Sequence, residues 1–357
     1  MKRVKAIFII WILLAGCIFI LNGSHAAAAI ALIAVIYALL AFIMVKISGR
    51  DIKAEMKGGS SIEKNEQAKI SVETENRSKI PVPKLTLSLR CENILTKEKR
   101  EIPLTYYYGP KGKNKGGLVL TGGNCGKVKL SVEDALVTDP LGLFKKERKV
   151  DAEASVYVMP EIKKIEIPSE YLDAYDMESY TYSQRQKGLD TGEVFGIREY
   201  RDGDSPKQIH WKLSAKMDDL MVKIPSFPIE NKLLVILDNS APEADILDAE
   251  RRSALMELFF SLSHTLLEKN IPHSLGWVDH ESGSFVLKRA ETIDGMWEAV
   301  PDALGAGMEK GTASTVYRYL EESREEHFTN HFIVTAGEPA DTERLEEYGA
   351  VRLFRSE

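Results

Sequence analysis

Lys232-Leu233-Leu234-Val235-Ile236-Leu237-Asp238-Asn239-Ser240 sets an unbroken apolar run against a polar stop. Consecutive Leu, Val and Ile leave neither face of a strand for water, so the run predicts a strand buried on both sides, the form parallel sheets take. Helical periodicity follows over 248–269, with strands at 274–278 and 284–287, a helix at 315–326, a strand at 331–335, a helix at 341–348 and a last strand at 351–354. That alternation predicts a doubly wound, Rossmann-like α/β domain over 229–357, with binding groups at the carboxyl ends of its strands. Asp238 and Ser240 are then the candidates in the first strand-end loop, where the ordinary use of such residues is capping and loop hydrogen bonding.

Immediately upstream, residues 191–228 hold the densest mixture of polar, turn-forming and aromatic residues in the chain. Val194 to Arg201 has the two-residue period of a strand. Asp202-Gly203-Asp204 supplies a turn, and Ser205-Pro206-Lys207-Gln208 has the form of a capping box with proline at the first helical position. A short helix carrying Ile209, His210, Trp211 and Lys212 is expected, then a strand from Leu220 to Ile224. Arg198, Tyr200, Asp204, His210, Trp211, Lys212 and Lys216 are the candidate partner-binding or interdomain residues, since Arg, Tyr and Trp anchor contacts between domains and proteins. The plainer alternative is local: Asp204 caps, Trp211 packs and Arg198 pairs with an acid.

This stretch resembles the signature of domain-of-unknown-function family 58, matched at Gly192, Arg198, Tyr200, Gly203, Asp204, Ile209, Trp211, Lys212, Ala215, Lys216, Leu220 and Val222. Asp139-Pro140-Leu141-Gly142-Leu143-Phe144 is similar to a second segment of such proteins, and Val235 to Ser240 is similar to the opening of a von Willebrand factor type A domain. The resemblance implies a layout of membrane hairpin, β-rich region, signature and type A-like domain. It also implies a MoxR-type AAA+ ATPase, and a transglutaminase-like membrane protein, as partners. Type A domains hold a divalent cation between an Asp-x-Ser-x-Ser loop, a threonine and an aspartate, because Mg²⁺ takes hard oxygen ligands in octahedral array. Here Pro242 replaces the second serine and Ala336 the aspartate, leaving Asp238, Ser240 and Thr312 or Thr315, so no metal and no cofactor are expected.

Residues 52–160 carry short β-like runs at 68–73, 82–89, 102–108, 117–120, 127–132 and 155–158 without helical periodicity between them, which predicts an all-β, immunoglobulin-like sandwich. Pro81 and Pro83 suit an edge strand, and Lys111 to Lys115 reads as a basic hairpin loop. Residues 161–190, acidic and rich in tyrosine, read as a connector.

Ala6 to Leu21 and Ala26 to Val45 contain no charged side chain, and ~20 residues at ~1.5 Å each match ~30 Å of hydrocarbon. Residues 1–48 are therefore read as a two-helix membrane hairpin. Lys2, Arg3 and Lys5 precede it and Lys46, Arg50 and Lys53 follow, so both termini are expected in the cytoplasm of a two-span protein. Cys17, Cys91 and Cys125 form no disulfide framework. A net charge of −6 argues against a nucleic-acid binder. His264, His273, His280, His327 and His331 lack zinc-site spacing, and Gly112-Lys113-Asn114 lacks the rest of a phosphate loop. The expectation is a non-enzymatic, membrane-anchored adaptor or scaffold. A hydrolase or transferase using Cys125 or His210 and a metal-dependent adhesion-type module are the alternatives.

Overall fold

The structure, a computed structural model, describes residues 2–59, 61–172, 181–201, 204–205, 209–217, 219–229, 232–241, 246–311, 313–322 and 328–355. It forms two compact units, Met1–Glu161 with Asp248–Ser253, and Ile162–Leu247 with Ala254–Glu357.

The first unit begins with α1 (Lys2–Asn22) and α2 (His25–Ile47). Gly23, at φ +63°, makes the reversal between them, and the Ser24 hydroxyl accepts from the Ala27 amide to cap α2. Ala15 and Ala27 are buried while Ile7, Leu13, Leu32 and Leu39 are exposed, so small residues face protein and large apolar ones face outward. Both helices are long and apolar enough to cross a membrane.

The strands β1 (Ile52–Lys57), β2 (Ser61–Ile62), β3 (Gln67–Asn76), β4 (Val82–Asn93), β5 (Lys99–Tyr108), β6 (Lys113–Thr121), β7 (Gly126–Thr138) and β8 (Lys145–Val158) follow. They make two sheets, ordered β1-β3-β6 and β2-β8-β7-β4-β5. Ala68, Ile70 and Val72 of one sheet and Leu85, Leu87, Leu89, Val128, Leu130 and Val132 of the other alternate inward, forming one core and hence a β-sandwich. Val45 of α2 belongs to the same core. Arg148 of β8 donates to the carbonyls of Val45 (3.4 Å), Lys46 (2.7 Å) and Ser48 (3.0 Å), acceptors that the end of α2 leaves without helical partners. Arg148→Ala is expected to cost about 2 kcal/mol, read as a lower melting temperature of the full chain in detergent.

Two expectations change here. The strand containing Pro83 is not at an edge, because β4 pairs with both β5 and β7. Pro83 is tolerated because the β5 register jumps between Val82 and Leu85 and the β7 pairing starts at Lys84. The basic loop ends early: Lys113 and Lys115 lie in β6 and pair with Glu75 (3.1 Å) and Glu73 (3.0 Å) of β3. Lys115 and Lys57 together hold the Glu73 carboxyl below its ordinary range.

The second unit contains α3 (Ser169–Leu172), β9 (Thr181–Glu199), α4 (Trp211–Met217), β10 (Met221–Ile229), β11 (Leu233–Leu237), α5 (Ala249–Glu268), β12 (His273–Asp279), β13 (Ser284–Ala290), α6 (Ile293–Ala306), α7 (Thr315–Glu322), β14 (Asn330–Thr335), α8 (Thr342–Glu346) and β15 (Ala350–Arg355). One sheet runs β13-β12-β11-β14-β15, parallel except for β13, and its helices α5, α6 and α7 connect the strands. Leu233 to Leu237 is buried at every residue, as the opening run predicts. The segment read as a connector already holds the start of β9, which pairs with β10 through a series of register shifts. Residues 173–180 of that segment lie outside the described residues.

Helix α6 was not legible. Pro301 lies inside it, yet Met296, Ala299, Val300, Ala303 and Leu304 form a buried face, and the Thr292 hydroxyl accepts from the Gly295 amide at its start.

Candidate functional site

Two places in the second unit gather the residues singled out by the sequence. The first is the signature. Arg198 and Asp204 form a two-pronged ion pair, both contacts at 2.6 Å, and the Asp204 carboxylate also accepts from the Arg201 amide at 2.8 Å. The Arg198 guanidinium, with the Arg201 amide, lowers the Asp204 carboxyl to about 2. This pair ties the end of β9 to Asp204, six residues on from Arg198. Residues 202–203, and the capping-box positions Pro206 to Gln208, lie outside the described residues.

The helix starts later than the capping box implies. Ile209 is extended and bridges Val222, and the His210 amide donates to the Met221 carbonyl. α4 begins at Trp211, and His210 is its cap: the ring Nδ1 accepts from the Leu213 amide at 3.2 Å. The Ser214 hydroxyl, bonded to the His210 carbonyl and the Met221 amide, closes the unit. Pairing with β10 overrides the local helical signal at Ile209 and His210.

Trp211 does not pack into a core. It is 65% exposed on α4, with Lys212 and Lys216 also exposed on the same short helix. Leu220 (48%) and Ile197 (40%) are further exposed apolar side chains of the signature, and Tyr200 is half-buried with its amide bonded to the Leu220 carbonyl. A rigid base of internally satisfied residues thus carries an outward tryptophan flanked by lysines.

The second place is the pair of strand ends of β11 and β14, where the strand order reverses direction, the point at which open α/β sheets bind ligands. Asp238 accepts from the Thr335 hydroxyl at 3.1 Å, and the Ser240 amide donates to the Thr315 hydroxyl at 3.3 Å. Asn239 is fully buried and holds the loop through the carbonyls of Val278 and Gly307. The buried Ser240 hydroxyl has no hydrogen-bond partner among the described residues. Ala336 adds no carboxylate, and Thr312 and Pro242 lie outside the described residues. The one carboxylate, Asp238, and the hydroxyls of Ser240, Thr315 and Thr335 do not fit a dication that takes six oxygen ligands. Among the described residues no three His, Cys, Asp or Glu are placed together to hold a metal ion.

Cys125, the thiol of the hydrolase alternative, is completely buried in the first unit, and His210 is committed to capping. Two residues that tie the sandwich to the helical hairpin carry no signal in the sequence: Arg148, indistinguishable from surface charge within its lysine-rich segment, and Tyr37, hidden in the apolar run of α2.

No curated protein matches the chain. Among solved structures, the CARDB domain of the PF1109 protein from Pyrococcus furiosus is 21% identical over 31% of this chain and 94% of its own, with a TM-score of 0.25. A β-glucosidase from Listeria innocua is 12% identical over 31% of this chain and 17% of its own, with a TM-score of 0.22. The alkylpurine DNA glycosylase AlkC from Pseudomonas fluorescens is 14% identical over 40% and 42%, with a TM-score of 0.23. Such values transfer no activity. Residues 196–281, from the end of β9 through the signature and β11 to just past β12, match the family described as Protein of unknown function DUF58.

Proposed function

We propose that this chain is a membrane-anchored cytoplasmic adaptor that works by contact and not by catalysis. α1 and α2 are its two spans, with both termini in the cytoplasm, as the basic flanks favour. The sandwich is an immunoglobulin-like spacer, and the parallel sheet of the second unit is a von Willebrand type A-like domain that has lost its cation. In favour of that assignment are the strand order, with one antiparallel edge strand beside the first pair, and Asp238 at the carboxyl end of β11.

The observation that carries the adaptor reading is Trp211. An exposed tryptophan on a helix whose start is fixed by His210 and Ser214 loses little freedom on docking, and tryptophan is enriched among the residues that dominate binding energy. Lys212 and Lys216 beside it favour an acidic partner surface. The proposed partner is a MoxR-type AAA+ ATPase, with a transglutaminase-like membrane protein in the same assembly. Trp211→Ala should reduce ATPase capture from mild-detergent extracts by roughly thirtyfold, corresponding to ~2 kcal/mol for an interface anchor, with the melting temperature unchanged. Equal capture by wild type and variant, or no ATPase with either, defeats the proposal.

A further inference from the structure

The loop joining β7 to β8, Asp139-Pro140-Leu141-Gly142-Leu143-Phe144, lies alongside α2 instead of beyond its end. Tyr37 donates to Asp139 Oδ2 at 3.4 Å, Phe42 meets Phe144 edge to face with centroids 5.5 Å apart, and Lys5 Nζ stands 5.5 Å from the Phe144 centroid. Tyr37 precedes Ile47 by ten residues, so the loop reaches ~15 Å back along the helix axis. The hairpin beyond that level, Phe8 to Asn22 and His25 to Tyr37, is only ~20 Å long, against ~30 Å of hydrocarbon. If the helices cross the bilayer, the missing third comes from the turns that the loop flanks.

We infer that the 139–144 loop is immersed in the leaflet on the basic side of the hairpin, with Leu141 among the acyl chains and Lys145, Lys146 and Lys149 on the phosphates of anionic phospholipids. The inference rests on reading α1 and α2 as spans. Its own support is the chemistry of the loop. Backbone in an apolar medium needs its polar groups bonded internally. Asp139, 1% exposed, accepts from the Leu141 amide (3.0 Å) and the Phe144 amide (2.6 Å), while its carbonyl accepts from Gly142 (3.0 Å). Pro140 brings no N–H, and Gly142 takes the left-handed turn at φ +72°. Leu143 points inward at 2% exposure, whereas Leu141 is 50% exposed at the tip. Exposed Lys145, Lys146 and Lys149, offset only by Glu147 within that segment, lie just past the loop, and Arg3, Lys5, Lys46 and Arg50 are exposed at the same end of the hairpin.

The test uses the full chain in lipid nanodiscs. A fluorophore is placed at Leu141→Cys in a Cys17→Ser background, since Cys91 and Cys125 are buried. Quenching by lipids nitroxide-labelled in the upper acyl chain, with protection from aqueous iodide, is expected. Spin-labelled phosphatidylglycerol should quench more than spin-labelled phosphatidylcholine, and Lys145→Gln, Lys146→Gln and Lys149→Gln together should reduce that preference by at least about fivefold. Iodide quenching without lipid quenching at 141, or equal quenching by the two lipids, overturns the inference. Wild type labelled at Cys17, exposed within α1, separates the two readings. Lipid quenching at Cys17 but not at 141 sinks the loop alone, and none at either sinks the spans and the loop together.

Discussion

Acidification from pH 6.5 to pH 4 should destabilise the second unit by about 3 kcal/mol for each of two buried histidines, His273 and His331. Burial lowers both imidazoles from 6.5 to about 4. His273 is kept neutral by its burial, against the opposing pull of the Ile271 carbonyl: Nδ1 donates to that carbonyl at 3.0 Å, so Nε2 accepts from the Ser263 hydroxyl at 2.7 Å. His331, on the inner strand β14 beside Tyr319, is kept neutral by burial, and no side chain among the described residues hydrogen-bonds its ring. The folded state therefore refuses a proton that the unfolded chain takes up below pH 6.5. The contribution is complete above 6.5, falls by about 1.4 kcal/mol per pH unit per histidine, and levels off below about 4, where the folded protein protonates too. Thermal melting of the full chain between pH 7 and 4 measures it. His331→Phe, which keeps the ring beside Tyr319, should halve the slope, and a slope unchanged by that substitution would refute the assignment.

Asp139→Ala carries the other large effect. The buried carboxylate is the acceptor for the Leu141 and Phe144 amides and for the Tyr37 hydroxyl, so its removal strands two backbone donors. At ~1–3 kcal/mol for each stranded donor, the loss should be about 3 kcal/mol. Asp139→Asn keeps one acceptor oxygen and should lose less. Tyr37→Phe removes only the long 3.4 Å bond and should lose under ~1 kcal/mol. Melting temperatures in detergent give this order. A harmless Asp139→Ala would mean that the loop does not depend on its internal bonds.

Patterns of a single period were legible. The unbroken run at Leu233 to Leu237, the alternation of Ile70, Val72, Leu85 and Leu87, and the long apolar stretches at the start each point to one burial state, and each occupies it or has the form for it. Local rules are weaker guides in this chain. The capping-box signal before Ile209 loses to pairing with Val222 and Met221, the proline in β4 sits at a bulge that no sequence rule announces, and Pro301 conceals an amphipathic helix. In the signature, the residue types were legible but not their division of labour. Arg198, Asp204 and His210 are spent on their own loop and cap, and Trp211 is left facing outward.

The order of apolar and polar residues along this chain suffices for a helical pair, a β region and an α/β unit, because burial on one face, both faces or every side writes itself into the period. Which polar groups meet is another matter. Arg148 finds the carbonyls at the end of α2, Asp139 meets Tyr37 within α2, and Thr335 reaches Asp238 across neighbouring strands, all between residues about a hundred positions apart. Such bonds depend on distances of a few ångströms that no local period encodes, so they emerge only once the sheets and helices are assembled.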